Sequence, residues 1–408
     1  MVIFTLLSNF FQKKPKLIIS IIIGIGFVSI FSLTGIISDD TEIQIENENI
    51  KIYSNQPYAP QIVDGCKDDI HCAVNALRTL AKLEDKEKIL EVFPNLITSY
   101  ESKYPCHEVG HHLGMWLNAY VGDTQDALDL AKQQCGGSIF HGVIQNYLQI
   151  QKFKNIPIDD IDIQEICSKY KDDTSFINRW QCLHGLGHGL IDIYNYDTQS
   201  AVNRCEEFEP GLEQISCSKG IFMQNVVLWT ETGEGDFDEN DLFYPCNASP
   251  SKYAPACYHY HITYMAAKSG GLGVQIPDAF DLCDDISPEE MIKYCYYGMG
   301  RQMQSRTYLD WDRALFLCQQ GDRKDLHSYC IEGMLMILVN TNTNPSIGFS
   351  FCESLPLDYK QTCYNGLGKW ITMLSSDYDE RQKLCSMAEN KNYFDICMNA
   401  KTDSLQLL

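Results

Sequence analysis

Apolar residues recur at the three- and four-residue spacing of amphipathic helices along most of the chain after residue 66. The first such segment is expected over residues 66–83. Two earlier stretches of the chain do not follow this amphipathic pattern. Residues 17–38 carry no charge, and at about 1.5 Å per residue they are long enough to span a bilayer core. Residues 39–62 are polar and acidic and predict a linker. The pattern predicts an all-α region behind one N-terminal transmembrane helix.

Charges flanking the apolar stretch predict its orientation. Three lysines precede it and three acidic residues follow it: Lys13, Lys14, Lys16, Asp39, Asp40 and Glu42. This asymmetry places residues 1–16 in the cytoplasm and the long C-terminal part outside. A cleaved signal peptide is the alternative. The length of the stretch and the lack of a clear small-residue cleavage site favour an uncleaved, single-pass anchor.

Eighteen cysteines divide the rest of the chain into repeats. From residue 167 onward they form couples whose members are 11 to 15 residues apart, and the couples recur about every 33 to 41 residues. The couples are Cys167/Cys182, Cys205/Cys217, Cys246/Cys257, Cys283/Cys295, Cys318/Cys330, Cys352/Cys363 and Cys385/Cys397. Each repeat predicts a hairpin in which helix A ends near the first cysteine and helix B begins near the second. Paired cysteines in this number indicate an oxidising compartment.

A disulfide within each couple is the simplest account of the repeated spacing, although connectivity does not follow from sequence alone. We also expect Cys66 to pair with Cys72, and Cys106 with Cys135. A glycine follows the second cysteine by three residues in five repeats: Gly185, Gly220, Gly298, Gly333 and Gly366. Glycine costs about 1 kcal/mol in a helix relative to alanine. We therefore expect a close approach of helix A to helix B at these positions.

A two-helix repeat with a period near 35 residues resembles the α-solenoids of the tetratricopeptide type. The Trp, Tyr and Pro consensus of that family is absent here, so the resemblance concerns architecture. The Cys/His repeats also resemble uncharacterised membrane-anchored helical-repeat proteins of archaea and bacteria, which implies no function. We predict a disulfide-stapled α-solenoid with His-rich repeats over residues 63–200 and further repeats over residues 201–408.

Histidines are concentrated in the first repeats. The candidate metal ligands are His107, His111, His112, His141, His184 and His188. His107/His111 and His184/His188 are each four residues apart, so each pair shares one helix face and suits one metal ion. Neighbouring B helices of a solenoid lie side by side, which lets imidazoles from three helices converge. Imidazole suits zinc, copper, iron or nickel, and we rank zinc and copper first. Either His111 or His112 faces the site.

Residues 107–114, HEVGHHLG, resemble the HExxHxxG segment of the zincin metallopeptidases. This resemblance implies that His107 and His111 bind zinc and that Glu108 is the general base. The third histidine of the longer signature would fall at Leu117, so the signature is incomplete. Zincins also place this helix beneath a β-sheet, whereas the surrounding sequence here predicts helices.

Charge and loop composition limit the partners. The formal net charge of −22 disfavours nucleic acid. Residues 231–241 resemble only the start of a calcium loop and lack its central glycine and closing glutamate, so calcium is not expected.

Two candidate functions remain for the protein. The protein holds a transition metal that is either catalytic, in hydrolytic or redox chemistry, or carried as cargo. Alternatively, it is a scaffold that binds another envelope protein, and its histidines are structural.

Overall fold

The structure, a computed structural model, is all-helical apart from one small ribbon. It describes residues 57–401 except 68, 83, 101–105, 132–134, 174, 270–275, 308–309 and 343, and it also describes residues 42–44 and 51–53. Strands β1 (Glu42–Gln44) and β2 (Lys51–Tyr53) pair antiparallel. The predicted anchor, residues 17–38, lies outside the described residues. Within the described ranges, no helix combines the length and apolar character needed to cross a membrane.

A row of long helices, each packed against the next along the chain, forms the body of the protein. These are α5 (Cys106–Val121), α7 (Ser138–Phe153), α9 (Phe176–Ile193), α11 (Leu212–Thr232), α12 (Ala254–Lys268), α14 (Ile292–Arg306), α16 (His327–Asn342), α18 (Leu357–Leu374) and the shorter α20 (Lys391–Met398). Short helices precede or connect them: α1 (Tyr58–Cys66), α2 (Ile70–Leu80), α3 (Lys86–Leu90), α4 (Phe93–Tyr100), α6 (Thr124–Leu130), α8 (Ile163–Ile166), α10 (Thr198–Arg204), α13 (Ile276–Asp284), α15 (Trp311–Cys318), α17 (Pro345–Ser354) and α19 (Tyr378–Cys385). Single 3-10 turns occur at Ile158–Asp160, Ser168–Tyr170, Cys205–Glu207, Glu289–Met291 and Lys324–Leu326.

Disulfides tie the connecting segments to the long helices. Nine bonds join the cysteines in the predicted pairs: Cys66–Cys72, Cys106–Cys135, Cys167–Cys182, Cys205–Cys217, Cys246–Cys257, Cys283–Cys295, Cys318–Cys330, Cys352–Cys363 and Cys385–Cys397. No described cysteine is left free. In one typical repeat, Cys318 ends α15 and Cys330 lies in the first turn of α16. The bonds within the seven couples each hold one hairpin closed near its turn, whereas Cys106–Cys135 joins the start of α5 to the segment before α7.

The predicted first helix, residues 66–83, is wrong in its bounds. Helix α1 begins at Tyr58, inside the predicted linker of residues 39–62, and ends at Cys66. Proline is tolerated in the first turn of a helix, so Pro60 does not prevent this start. Lys67 then adopts φ 52°, which stops α1. Asp69 begins α2 by accepting hydrogen bonds from the backbone N–H groups of its first turn.

The recurring glycines lie where consecutive long helices cross, so the prediction of a contact between helix A and helix B is wrong. A Cβ atom on Gly220 of α11 would stand 1.9 Å from the backbone oxygen of His184 in α9. A Cβ atom on Gly142 of α7 would stand 2.1 Å from the backbone oxygen of His111 in α5. Only glycine allows two helix backbones to approach this closely, and the small residue serves the packing of one long helix on the next.

The row of helices curls until distant helices touch. Gln181 Nε2 of α9 donates to Asn340 Oδ1 of α16 at 3.2 Å, across 159 residues of sequence. The Ser175 hydroxyl donates to the Met373 carbonyl of α18 at 3.5 Å, across 198 residues. An open solenoid has contacts only between adjacent repeats. The array is therefore more tightly curled than predicted, and residues 179–191 of α9 are buried on every side.

Replacing a recurring glycine by alanine should change the free energy of unfolding by an amount that depends on how close the neighbouring helix backbone lies. Gly220→Ala is expected to destabilise the protein by about 1–3 kcal/mol, because the new methyl group overlaps a backbone atom that has no room to move. Gly366→Ala is the matched control at the same repeat position. Its nearest neighbour is the flexible end of Leu335, at 3.1 Å, and alanine favours the helix by about 1 kcal/mol. Urea unfolding should show the two variants shifting in different directions, and equal losses would contradict this account of the glycines.

Candidate metal centre

Four imidazoles from three consecutive long helices converge in the interior. His107 and His111 come from α5, His141 from α7 and His188 from α9, and one nitrogen of each lies within 4.8 Å of the others. His107 Nε2 is 3.2 Å from His111 Nε2 and 3.4 Å from His141 Nδ1. Four nitrogens arranged tetrahedrally at the usual zinc distance are about 3.3 Å apart. These two separations therefore already match the geometry of a four-coordinate metal ion.

Glycines beside the histidines set the helix spacing that permits this convergence. Gly142 follows His141 and packs on the backbone of His111. Gly185 follows His184, and a Cβ atom there would stand 2.7 Å from the Cα atom of His141. Larger residues at these two positions would separate α5, α7 and α9 and draw the imidazoles apart.

Hydrogen bonds fix the orientation of the two imidazoles on α5. His107 Nδ1 lies 2.9 Å from the Cys135 carbonyl oxygen, which only accepts, so Nδ1 carries the proton. His111 Nδ1 lies 3.1 Å from Gln145 Oε1. The Gln145 amide donates from Nε2 to Asp192 Oδ2 at 2.7 Å, which turns its oxygen toward His111. In the neutral rings both Nε2 atoms therefore lack a proton, and their lone pairs face each other.

The other two imidazoles are held in the same way. His141 Nε2 donates to Gln181 Oε1 at 3.0 Å, which leaves Nδ1 facing His107. His188 Nδ1 donates to Gln224 Oε1 at 2.7 Å. His188 Nε2 is buried and has no hydrogen-bond partner among the described residues. A metal-binding histidine commonly donates its second ring N–H to an oxygen in this manner. All four histidines follow that pattern.

Sequence reasoning did not identify the glutamines that orient these rings. Gln224 is four residues after Gly220 and therefore lies on the same face of α11. Because Gly220 marks the helix crossing, the GxxxQ spacing was a usable signal for Gln224. Gln145 and Gln181 carry no comparable signal in the sequence.

His184, the fifth predicted ligand, lies beside the group of four. Its ring centroid is 5.0 Å from those of both His141 and His188. Its Nδ1 atom is buried and has no hydrogen-bond partner within the described part of the chain. Its ligand atoms are outside the set that converges within 4.8 Å. His184 is thus an imidazole adjacent to the centre.

The predicted residues Glu108 and His112 lie outside the group of four, on the next face of α5. The His112 ring packs edge-on against His71, with centroids 4.9 Å apart. Burial raises the pKa of the Glu108 carboxyl, and the charge that opposes this is again that of His71. His111, rather than His112, faces the centre. His107 and His111, the pair that resembles the zincin motif, therefore lie together in the centre. Glu108 instead lies on the side of His71.

Burial determines the protonation of the centre. It lowers the pKa of His107 to about 4, against the opposing hydrogen bond to the Cys135 carbonyl. Burial also lowers the pKa of His111, His141 and His188 well below the usual histidine value, and repulsion between the clustered imidazoles adds to this effect. At neutral pH the four rings are therefore in the neutral form that binds metal ions.

A second group, formed by Cys246, Cys257 and His261, does not offer a metal site. The two sulfur atoms are joined in a disulfide, so no thiolate is present. His261 Nε2 donates to the Leu242 carbonyl at 2.8 Å. Proximity of cysteine and histidine here reflects the packing of the hairpin.

Acid should destabilise the metal-free protein between about pH 6.5 and pH 4. The unfolded chain protonates its histidines near 6.5, whereas His107 stays neutral in the folded state down to about 4. The unfolded state therefore binds more protons in this window. Stability should fall with falling pH by up to about 1.4 kcal/mol per pH unit for each such histidine. Urea unfolding of chelator-treated protein at several pH values measures this slope, which His141→Gln should reduce. A midpoint independent of pH would refute it.

Comparisons of the chain with protein-family models, with curated proteins and with solved structures gave no match. The function of the centre therefore has to follow from its own geometry.

Proposed function

We propose that the protein is an extracytoplasmic metalloprotein that binds one transition-metal ion through His107, His111, His141 and His188. The observation that carries this proposal is the convergence of unprotonated ring nitrogens, two of them only 3.2 Å apart. Lone pairs at this distance repel each other unless a cation lies between them. One proton satisfies a single pair, whereas a metal ion satisfies all four. The disulfides suit the oxidising compartment, and residues 17–38 supply the proposed single-pass anchor.

The donor set limits the choice of metal. Every donor is an imidazole nitrogen, and no described cysteine offers a thiolate. Imidazole suits zinc, copper, iron and nickel. Zinc and copper are the first candidates, because two nitrogen separations already match a tetrahedral site of about 2.0–2.1 Å bonds. Calcium is excluded from the proposal because it requires oxygen ligands.

Burial favours a resident metal ion over a carried one. His141 and His188 are each 1% exposed, so handing the ion to another protein would require the helices to separate. Four imidazole donors complete a tetrahedral coordination shell, so hydrolytic chemistry on a bound ion would require a fifth coordination position, whereas a redox change would not. The chain itself orients the donors through Gln145, Gln181 and Gln224. His184 places one further buried nitrogen, without a hydrogen-bond partner among the described residues, beside the site.

Replacing one central histidine should abolish tight metal binding. His141→Ala and His188→Ala each remove a donor and should cost more than the ten- to hundredfold typical of losing an outer-shell partner. His112→Ala is the matched control, because it removes an imidazole that lies outside the group of four and packs on His71. Metal content of the full chain and competition titrations with cobalt, zinc and copper give the affinities.

The expected outcome is one ion per chain, lost in the two central variants and kept in His112→Ala. If the wild-type chain binds none of these metals tightly, the proposal fails. In that case the histidines are structural, and a scaffold for another envelope protein becomes the better hypothesis.

The hydrogen bond from Gln224 should tune the affinity without supplying a ligand. Gln224→Leu removes the acceptor that fixes the tautomer of His188, and metal affinity should fall about ten- to a hundredfold. Gln224→Glu keeps an acceptor at the same place and should retain or increase the affinity. Titration of both variants with the same metal tests this, and an unchanged affinity in Gln224→Leu would show that Gln224 does not orient the ligand.

A further inference from the structure

Two cationic side chains in the interior have no acidic partner within the described residues. Lys219 of α11 is 1% exposed, and its side-chain nitrogen has no hydrogen-bond partner among the described residues. The neighbours of the Arg301 guanidinium in α14 include the rings of Tyr260 and Tyr297, which are neutral because burial raises the pKa of both hydroxyls. Burying a charge without a partner is strongly unfavourable. Both side chains therefore indicate that a negative group belongs beside them.

Other buried cations of this protein do have acidic partners. Arg179 forms two hydrogen bonds of 2.9 Å with the Glu213 carboxylate. Lys369 lies 3.9 Å from Glu332. The fold thus pairs its buried cations elsewhere, and the lack of a carboxylate at Lys219 and Arg301 distinguishes this place.

Aromatic rings compensate these charges only in part. The Arg301 guanidinium lies 4.6 Å from the centroid of the Tyr260 ring, which is a favourable cation–π distance. Lys219 Nζ lies 5.8 Å from the Tyr297 ring and 6.0 Å from the Trp180 ring. These two distances are at the limit of about 6 Å for such contacts. These rings therefore compensate an ammonium at Lys219 only weakly, and burial lowers the pKa of the Lys219 amine well below its usual value.

The two cations adjoin the histidine centre. Lys219 directly precedes Gly220, which packs on the backbone of His184. The Tyr297 ring beside Lys219 lies 4.8 Å from the ring of His259, and Arg301 follows Tyr297 by one turn of α14. Arg301 is strongly desolvated and yet keeps part of its surface accessible, as do His107 and His111. These three side chains therefore each keep surface that a small ligand can contact.

We infer that Arg301 and Lys219 bind an oxyanion group, a carboxylate or a phosphate, of a small substrate beside the histidine centre. The role as substrate rests on the proposed function, whereas anion binding does not. A guanidinium fork matches the two oxygens of either group, and an ammonium adds a point charge. The two ring nitrogens of His259 are buried without hydrogen-bond partners among the described residues, and its ring lies 4.8 Å from that of Tyr297. The four neutral imidazoles bring no negative charge, so a metal ion bound there adds to the need for an anion.

Anion binding is tested first on the metal-free full-length chain. Inorganic phosphate, acetate and chloride are titrated at constant ionic strength, with calorimetry and the thermal midpoint as readouts. We expect phosphate or acetate to bind at one site per chain and to raise the midpoint above that in chloride, and the stronger of the two identifies the group. Equal behaviour of all three anions would overturn the inference.

Variants distinguish a specific anion-binding site from a general attraction of anions to positive charge. Arg301→Gln and Lys219→Met should weaken binding of the preferred anion about ten- to a hundredfold, the loss expected when a hydrogen bond to a charged group is removed. Arg323→Gln is the matched control, because Arg323 is near the surface and is paired with Asp325. An equal loss in this control would overturn the inference.

Lys219→Met also separates ligand binding from a structural role. Removing an unpaired buried ammonium should leave the thermal midpoint of the ligand-free protein unchanged or higher. A lower midpoint with undiminished anion binding would show that Lys219 only supports the fold, against the inference.

The position beside the centre is tested with cobalt-loaded protein. Binding of the preferred anion should shift the visible absorption of the bound cobalt, and an unchanged spectrum under saturating anion would contradict adjacency. If cobalt does not bind at all, the proposed function fails, while the titrations of the metal-free chain still decide the inference.

Discussion

The candidate centre depends on close backbone contact between consecutive long helices. Helices that pack through ordinary side chains lie about 8–10 Å apart, and imidazoles from three such helices would not reach one point so compactly. At Gly142 a Cβ atom would stand 2.1 Å from a backbone oxygen of α5, and at Gly185 it would stand 2.7 Å from a backbone atom of α7. The disulfides restrain the hairpins on either side of these crossings. The glycines thus set the distance between consecutive long helices, and the disulfides hold each hairpin in register.

Local features of this fold followed from the sequence because their partners are close along the chain. Cysteines 11 to 15 residues apart pair within a hairpin, and histidines four residues apart share a helix face. The choice between His111 and His112 did not follow, since one residue turns a helix by about 100°. The glycine contacts were assigned to the wrong helix, because a small residue indicates a close approach without identifying its partner. The contact of Gln181 with Asn340 depends on curvature accumulated over several repeats, which no local pattern records.

Polar residues of the interior were the hardest to predict. Gln145 and Gln181 are residue types that usually face solvent, yet each accepts a hydrogen bond from a buried imidazole. Lys219, in the segment CSKGIFMQN, has the sequence appearance of a surface residue and is 1% exposed. The net charge of −22 suggested a protein that repels anions. Composition reports mainly on the exterior, whereas the interior next to the histidines holds the basic side chains of Lys219 and Arg301.

Because the exterior is acidic and the interior holds basic side chains, the proposed metal ion and the proposed oxyanion would affect each other's binding. Four neutral imidazoles leave the charge of a metal dication intact, and Arg301 adds a second positive charge nearby. In a poorly solvated interior, repulsion between these charges opposes metal binding. An oxyanion between them would convert this repulsion into attraction. Thermodynamic linkage then requires that metal and anion raise each other's affinity by the same factor. Because no carboxylate of the described residues pairs with Lys219 or Arg301, the charge balance of the site would depend on its substrate.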